Sequence, residues 1–89
     1  MNKEQFLQLL SRDGFPEPLE VTQVPNGHLD IHEHPFEVRA LVTEGSIEIV
    51  IDGTSRTYYC GDIFQLDYQQ PHGEAYGPQG VKYLASRKQ

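Results

Sequence analysis

His32 and His34 stand two residues apart. In an extended strand that spacing turns both imidazoles to one face with Cα atoms about 6–7 Å apart, close enough to converge on one ion. A third histidine, His72, follows Pro71, whose ring fixes the backbone leading into it. Imidazole nitrogen suits Zn, Cu, Fe and Ni, and three such ligands leave coordination positions open to water or a substrate oxygen. The chemistry within reach is metal-assisted: a divalent ion polarises a carbonyl or enolate oxygen, or binds dioxygen. His28, four residues before His32, shares its parity but lies at the strand entry, where it reads as a solvated imidazole.

Two carboxylates are candidates for a fourth ligand or for acid–base work. Glu74 shares strand parity with His72, whereas Glu37 reaches the histidines only if Pro35 introduces a bulge. Each also reads as a solvated surface charge. With either one the set suits Fe, Mn, Ni or Zn; with neither, three imidazoles and water still suit Zn, Cu or Fe. No Ser-His-Asp or Cys-His arrangement and no glycine-rich phosphate loop stands in the sequence, so no residue is assigned a catalytic role and a metal would carry any chemistry.

Holding these groups requires strands. A first strand is expected over Leu19 to Val24, and short β segments follow at 28–34, 36–43, 46–52, 54–60, 63–66, 72–76 and 81–86. Ile47, Ile49 and Ile51 alternate with Glu48 and Val50, and Asp52-Gly53 supplies a two-residue hairpin turn into Thr54 to Tyr59. Ahead of the strands, Phe6, Leu7, Leu9 and Leu10 fall at helical spacing within Asn2 to Arg12, Gly14 marks the stop, and Pro16 and Pro18 prevent continuation. The reading is all-β: residues 1–15 form a helix and lead-in, and 16–89 form one small antiparallel barrel. Phe36, Val38 and Ala40 alternate on the histidine face, with Phe64 and Tyr76 contributing from other strands. Such walls describe a small-molecule pocket, and equally a plain barrel core. Arg39 has the opposite parity and is expected in a surface or interface ion pair.

The 89 residues leave room for one domain, and their formal charge of -6 opposes the basic footprint that phosphate contacts require, which argues against nucleic acid. No apolar run approaches the roughly 20 residues of a membrane span, and the start lacks a signal-like segment, so a cytoplasmic location is expected. Cys60 is the single cysteine and reads as a small residue at a strand end. Open sheet edges and a thin core point to a homodimer.

These residues resemble the cupin pattern. Its first motif, G-x5-H-x-H-x(3,4)-E-x6-G, is matched by Gly27, His32, His34 and Gly45, with the first spacing one residue short; the second is matched loosely by Gly61, Pro71 and His72. The two cover about half of the chain. The resemblance implies a jelly-roll barrel whose mouth holds a divalent transition metal (Zn, Fe, Mn, Ni or Cu) on two histidines, a glutamate and a third histidine. Carried over, the ligands are His32, His34 and His72. The usual glutamate position is Val38, and the second motif lacks its P-x-G and its final Asn. Two functions are expected on this basis: a metal-dependent enzyme of oxygenase or isomerase type acting on a small oxygen-rich molecule, or a non-catalytic module that binds or senses one, with metal weak or absent.

Overall fold

A computed structural model describes all residues, Met1–Gln89. Helix α1 (Lys3–Arg12) begins where the sequence provides a reciprocal cap. The Asn2 side chain accepts from the Gln5 backbone N–H at 2.8 Å, and the Gln5 side chain accepts from that of Asn2 at 3.1 Å. The helix buries Phe6 and Leu10, with Phe15, against Leu41 and the partly buried Ile63 and Leu84. Those three barrel residues face outward, so α1 covers the outer face of its own barrel. Arg39 points the same way, pairing with Asp13 and lying 4.4 Å over the Phe15 ring, and thereby ties the lead-in to the barrel.

Six strands complete the chain: β1 (Leu19–Gln23), β2 (His28–His32), β3 (Glu37–Ile51), β4 (Thr54–Tyr59), β5 (Ile63–Leu66) and β6 (His72–Lys88). The sequence reading expects eight. The difference arises because two apparent breaks are bends within continuous strands: 36–43 joins 46–52, and 72–76 joins 81–86. The β3–β6 pairing runs through both, with register shifts between Val42 and Glu44 and between Gly45 and Ile47. Gly45 and Gly80 both adopt positive φ at this crossing, and a Cβ on Gly45 would stand 2.1 Å from the Gly80 carbonyl oxygen. Only glycine permits that approach.

The bends divide each long strand between two antiparallel layers. The first half of β3 pairs with β5 and with the end of β6, whose other edge takes β1. Its second half pairs with β4 and with the start of β6, whose other edge takes β2. Inward side chains of both layers, including Val42, Ile47, Phe64, Val81 and Tyr83, meet in one core. No helix is long and apolar enough to cross a membrane.

Candidate metal centre

The last residue of β2, His32, is the register partner of the first residue of β6, His72. Between them and the preceding pair, Leu29 and Glu74, β2 uses three steps where β6 uses two. This bulge breaks the two-residue period, so that Leu29 and His32 both face the cavity. His28 is solvated, as expected at the strand entry, although the bulge takes away the parity with His32 that the sequence suggests. The strand ends at His32 rather than at residue 34, yet His34 still enters the site. Its ring centroid lies 4.9 Å from that of His32 and 5.4 Å from that of His72, and it stacks on Phe36 at 5.1 Å with an interplanar angle of 9°. A backbone hydrogen bond from Gln69 N–H to the His34 carbonyl, 2.8 Å, joins this segment to the loop before β6.

Glu74 completes the group. Its Oε2 lies 3.2 Å from His72 Nε2 and 3.4 Å from His32 Nε2, while its Oε1 accepts from the Tyr76 hydroxyl at 3.0 Å. The ligand atoms of His32, His34, His72 and Glu74 all lie within 4.8 Å of one another. Glu37 is outside this group. It opens β3 opposite Lys88 without a bulge, so ordinary alternation turns the cavity-lining Val38 inward and Glu37 away. The carboxylate thus comes from β6 rather than from the β3 position that Val38 occupies.

Two backbone carbonyls set the imidazole tautomers. His32 Nδ1 lies 2.6 Å from the Asp30 oxygen and His72 Nδ1 lies 2.9 Å from the Gln70 oxygen, so each Nδ1–H donates and each neutral Nε2 presents a lone pair to the centre. Two such lone pairs and a carboxylate oxygen repel unless a cation lies among them. A proton on His72 is one answer: burial opposes it, but the hydrogen bond to Glu74 and the Gln70 carbonyl prevail and the pKa is raised. Burial likewise opposes charge on Glu74, yet hydrogen bonds from His72 and Tyr76 hold its pKa below the usual carboxylate value. His34 is pushed down by burial and by its neighbours His32 and His72.

A divalent metal ion is the other answer, and the donors fit it. Two imidazole nitrogens across one ion span about 4.2 Å at most, so the observed spread of 4.8 Å closes with small side-chain rotations. Three neutral imidazoles and one ionised carboxylate form a donor set suited to Zn, Fe, Mn or Ni.

Beside the group lies a cavity of about 270 Å³. Phe36, Val38 and Phe64 line it, as does Leu66. Ala40 and Tyr76, read as lining residues, do not. Ala40 is fully buried opposite Phe64, deeper in the core, and Tyr76 stands behind Glu74. Sequence reading missed Val21, Gln23, Leu29, Leu66, Tyr83, Ala85 and Arg87. A signal existed for the last three: Val81, Tyr83, Ala85 and Arg87 share one face of β6 at period two.

No protein-family model matches the chain, and no curated protein matches it. Solved structures do. An RmlC-like cupin from Shewanella frigidimarina superposes with a TM-score of 0.69 at 20% identity, over 80% of this chain and 63% of that one. The polyketide cyclase RemF from Streptomyces resistomycificus gives 0.66 at 25% identity, over 86% and 58%. The cupin domain of an XRE-family transcriptional regulator from Enterobacter cloacae gives 0.63 at 20% identity, over 79% and 77%. The protein is thus a small mostly-β domain with one N-terminal helix. Its fold is the cupin jelly roll, and it carries a His/His/His/Glu cluster able to coordinate a divalent metal. The chain spans less than two thirds of the first two structures. Solved structures with this fold include a polyketide cyclase and a domain of a transcriptional regulator, so function is argued from the site.

Proposed function

We propose that this chain binds a divalent transition metal through His32, His34, His72 and Glu74 and takes a small oxygen-bearing molecule into the adjoining cavity, as a metal-dependent enzyme of oxygenase or isomerase type. One observation carries the reading: the Nε2 atoms of His32 and His72 meet the same Glu74 oxygen, with both tautomers held by the backbone. A bound ion would contribute Lewis-acid polarisation of a ligand oxygen. The chain's own residues do the rest. Tyr76 fixes the Glu74 carboxylate, Phe36 stacks on the His34 ring, and Phe36, Val38, Phe64 and Leu66 give the cavity its apolar walls. Elemental analysis of reconstituted protein tests this. Near-stoichiometric metal, lost in His32→Ala and His72→Ala, is expected; wild-type protein that takes up none would overturn the reading.

A second reading, a binding or sensing module, is favoured by the cavity's remaining polar groups. Outside the four clustered residues these are Gln23, Tyr83 and Arg87, and burial, then the Glu74 charge, pushes Tyr83 up to about 12. Tyr83 therefore exchanges no proton near neutral pH. Likeness to a regulator's cupin domain fits this reading. Incubating the metal-loaded protein with metabolite mixtures and following them by NMR separates the two: conversion indicates an enzyme, and stoichiometric line broadening without conversion a sensor.

A homodimer belongs to the same proposal. Leu19 on β1 and Ile31 on β2 are exposed, and both strands lie at sheet edges. Light scattering giving the dimer mass supports this, and the monomer mass removes it.

A further inference from the structure

The inward residues of the second half of β6 read Val81, Tyr83, Ala85 and then Arg87. The first three belong to the core. Arg87 continues their face to the cavity mouth, where it stands opposite the inward Val38 and helps line the cavity. Its guanidinium carbon lies 5.1 Å from the centroid of the Phe36 ring, whose other neighbour in the stack is His34, also at 5.1 Å. Cation, phenyl and imidazole therefore succeed one another from the mouth toward the histidine cluster.

Of the other six Lys and Arg, Arg12 and Arg39 pair with Asp13, Lys82 pairs with Glu44 and Lys88 donates to the Asp13 carbonyl, while Lys3 and Arg56, which do not line the cavity, pair with no acidic side chain. Arg87 pairs with no acidic side chain, although the chain carries thirteen Asp and Glu against seven Lys and Arg. It is also the only Lys or Arg that lines the cavity. An unpaired guanidinium beside apolar walls offers a planar fork of donors to a carboxylate, and the walls accept an apolar body.

We infer that the cavity takes a small carboxylic acid with an apolar body, its carboxylate held by Arg87 and its other end turned toward the histidine cluster. The inference deepens the proposed reading of this cavity as the ligand site and does not depend on the metal.

Benzoate and its neutral counterpart benzamide are suitable probes, titrated by calorimetry into metal-free and Zn-loaded protein. Benzoate is expected to bind at least about tenfold more tightly than benzamide, the scale of one charge-assisted hydrogen bond, and to shift the Arg87 Nε resonance. Arg87→Gln should abolish the preference, and Arg87→Lys should restore part of it. Zn content should be unchanged in both variants. Equal binding of the probes, undetectable binding of both, or a preference that survives Arg87→Gln would each overturn the inference. Protein that takes up no Zn yet keeps an Arg87-dependent preference would overturn the metal centre and support the carboxylate site.

Discussion

The Tyr76 hydroxyl donates to Oε1 of Glu74 at 3.0 Å and so leaves Oε2 facing His32 and His72, at 3.4 and 3.2 Å. Burial, with the adjacent Glu74 charge and hydrogen bond, raises the phenol pKa well above its ordinary value, so Tyr76 remains a donor throughout the neutral range. Partners of this kind typically govern metal affinity by about 10- to 100-fold. Tyr76→Phe keeps the ring in the core and removes only the donor. It should weaken Zn binding by about that factor in a chelator competition with the fold intact by circular dichroism. Unchanged affinity would show that Glu74 needs no such support.

The two candidate carboxylates separate cleanly. Glu74→Gln removes the charge on which both Nε2 atoms converge and should reduce metal content severely. Glu37→Gln, on the other side of β3, should leave it at the wild-type level. Elemental analysis of the two variants side by side decides the point, and equal loss in both would contradict the placement of Glu37.

Glycine is required at one bend and merely convenient at a turn. Gly45 and Gly53 both have positive φ, but a Cβ at Gly53 meets nothing within 4 Å whereas one at Gly45 collides with the Gly80 backbone. Gly53→Ala should therefore cost about 1–2 kcal/mol, the conformational penalty alone. Gly45→Ala should cost well beyond it, since β3 and β6 must separate. Urea denaturation measures both, and similar midpoints would refute the close crossing.

Acid should loosen the lead-in. Hydrogen bonds from Arg12 and then Arg39 draw the Asp13 pKa from 3.8 down to about 2. A carboxylate with a depressed folded pKa adds stability above its unfolded value and loses it as pH falls through the folded one. The contribution is thus present above about pH 4 and disappears toward pH 2. Asp13→Asn should lower stability at neutral pH and flatten its decline across that window in denaturation curves. A variant with the wild-type slope would assign the decline to other groups.

Much of the scaffold is legible in the amino-acid pattern. Alternation at Ile47, Ile49 and Ile51 places the second half of β3, Asp52-Gly53 places its turn, and the spacing of Phe6, Leu7, Leu9 and Leu10 places the helix. The strand count and the parity of β2 went astray for one reason, which is that period-two reasoning assumes uninterrupted strands. At the bends near Gly45 and Gly80 the chain keeps its partner while changing layer, so a glycine that looks like a boundary lies inside a strand. At the β2 bulge the parity flips, which turns His28 out and brings Leu29 in. His34 joins the cluster as its spacing from His32 predicts, but from beyond the strand end, where the loop contact with Gln69 holds its backbone. Arg87 lies one residue beyond the expected strand 81–86, so the period-two face of Val81, Tyr83 and Ala85 reaches it only because β6 runs on to Lys88, and its side chain stays exposed at the cavity mouth.

The groups that orient His32 and His72 are carbonyls of the main chain, each two residues upstream of the ring it steadies. The side chains attached to those carbonyls, Asp30 and Gln70, play no part in the contact. Asp30 is almost wholly solvent-exposed. Drift at Asp30 is therefore free to proceed without disturbing the His32 tautomer, whereas the Gln70 side chain accepts from the Asp67 backbone N–H at 2.9 Å and helps to hold the loop that carries its carbonyl. Drift at Glu74 and Tyr76 has no such freedom, because there the side chains themselves make the contacts. Among distant homologues, the site should consequently be recognised by the residues on the C-terminal side of His72, along its own strand, more readily than by those on the N-terminal side of either histidine.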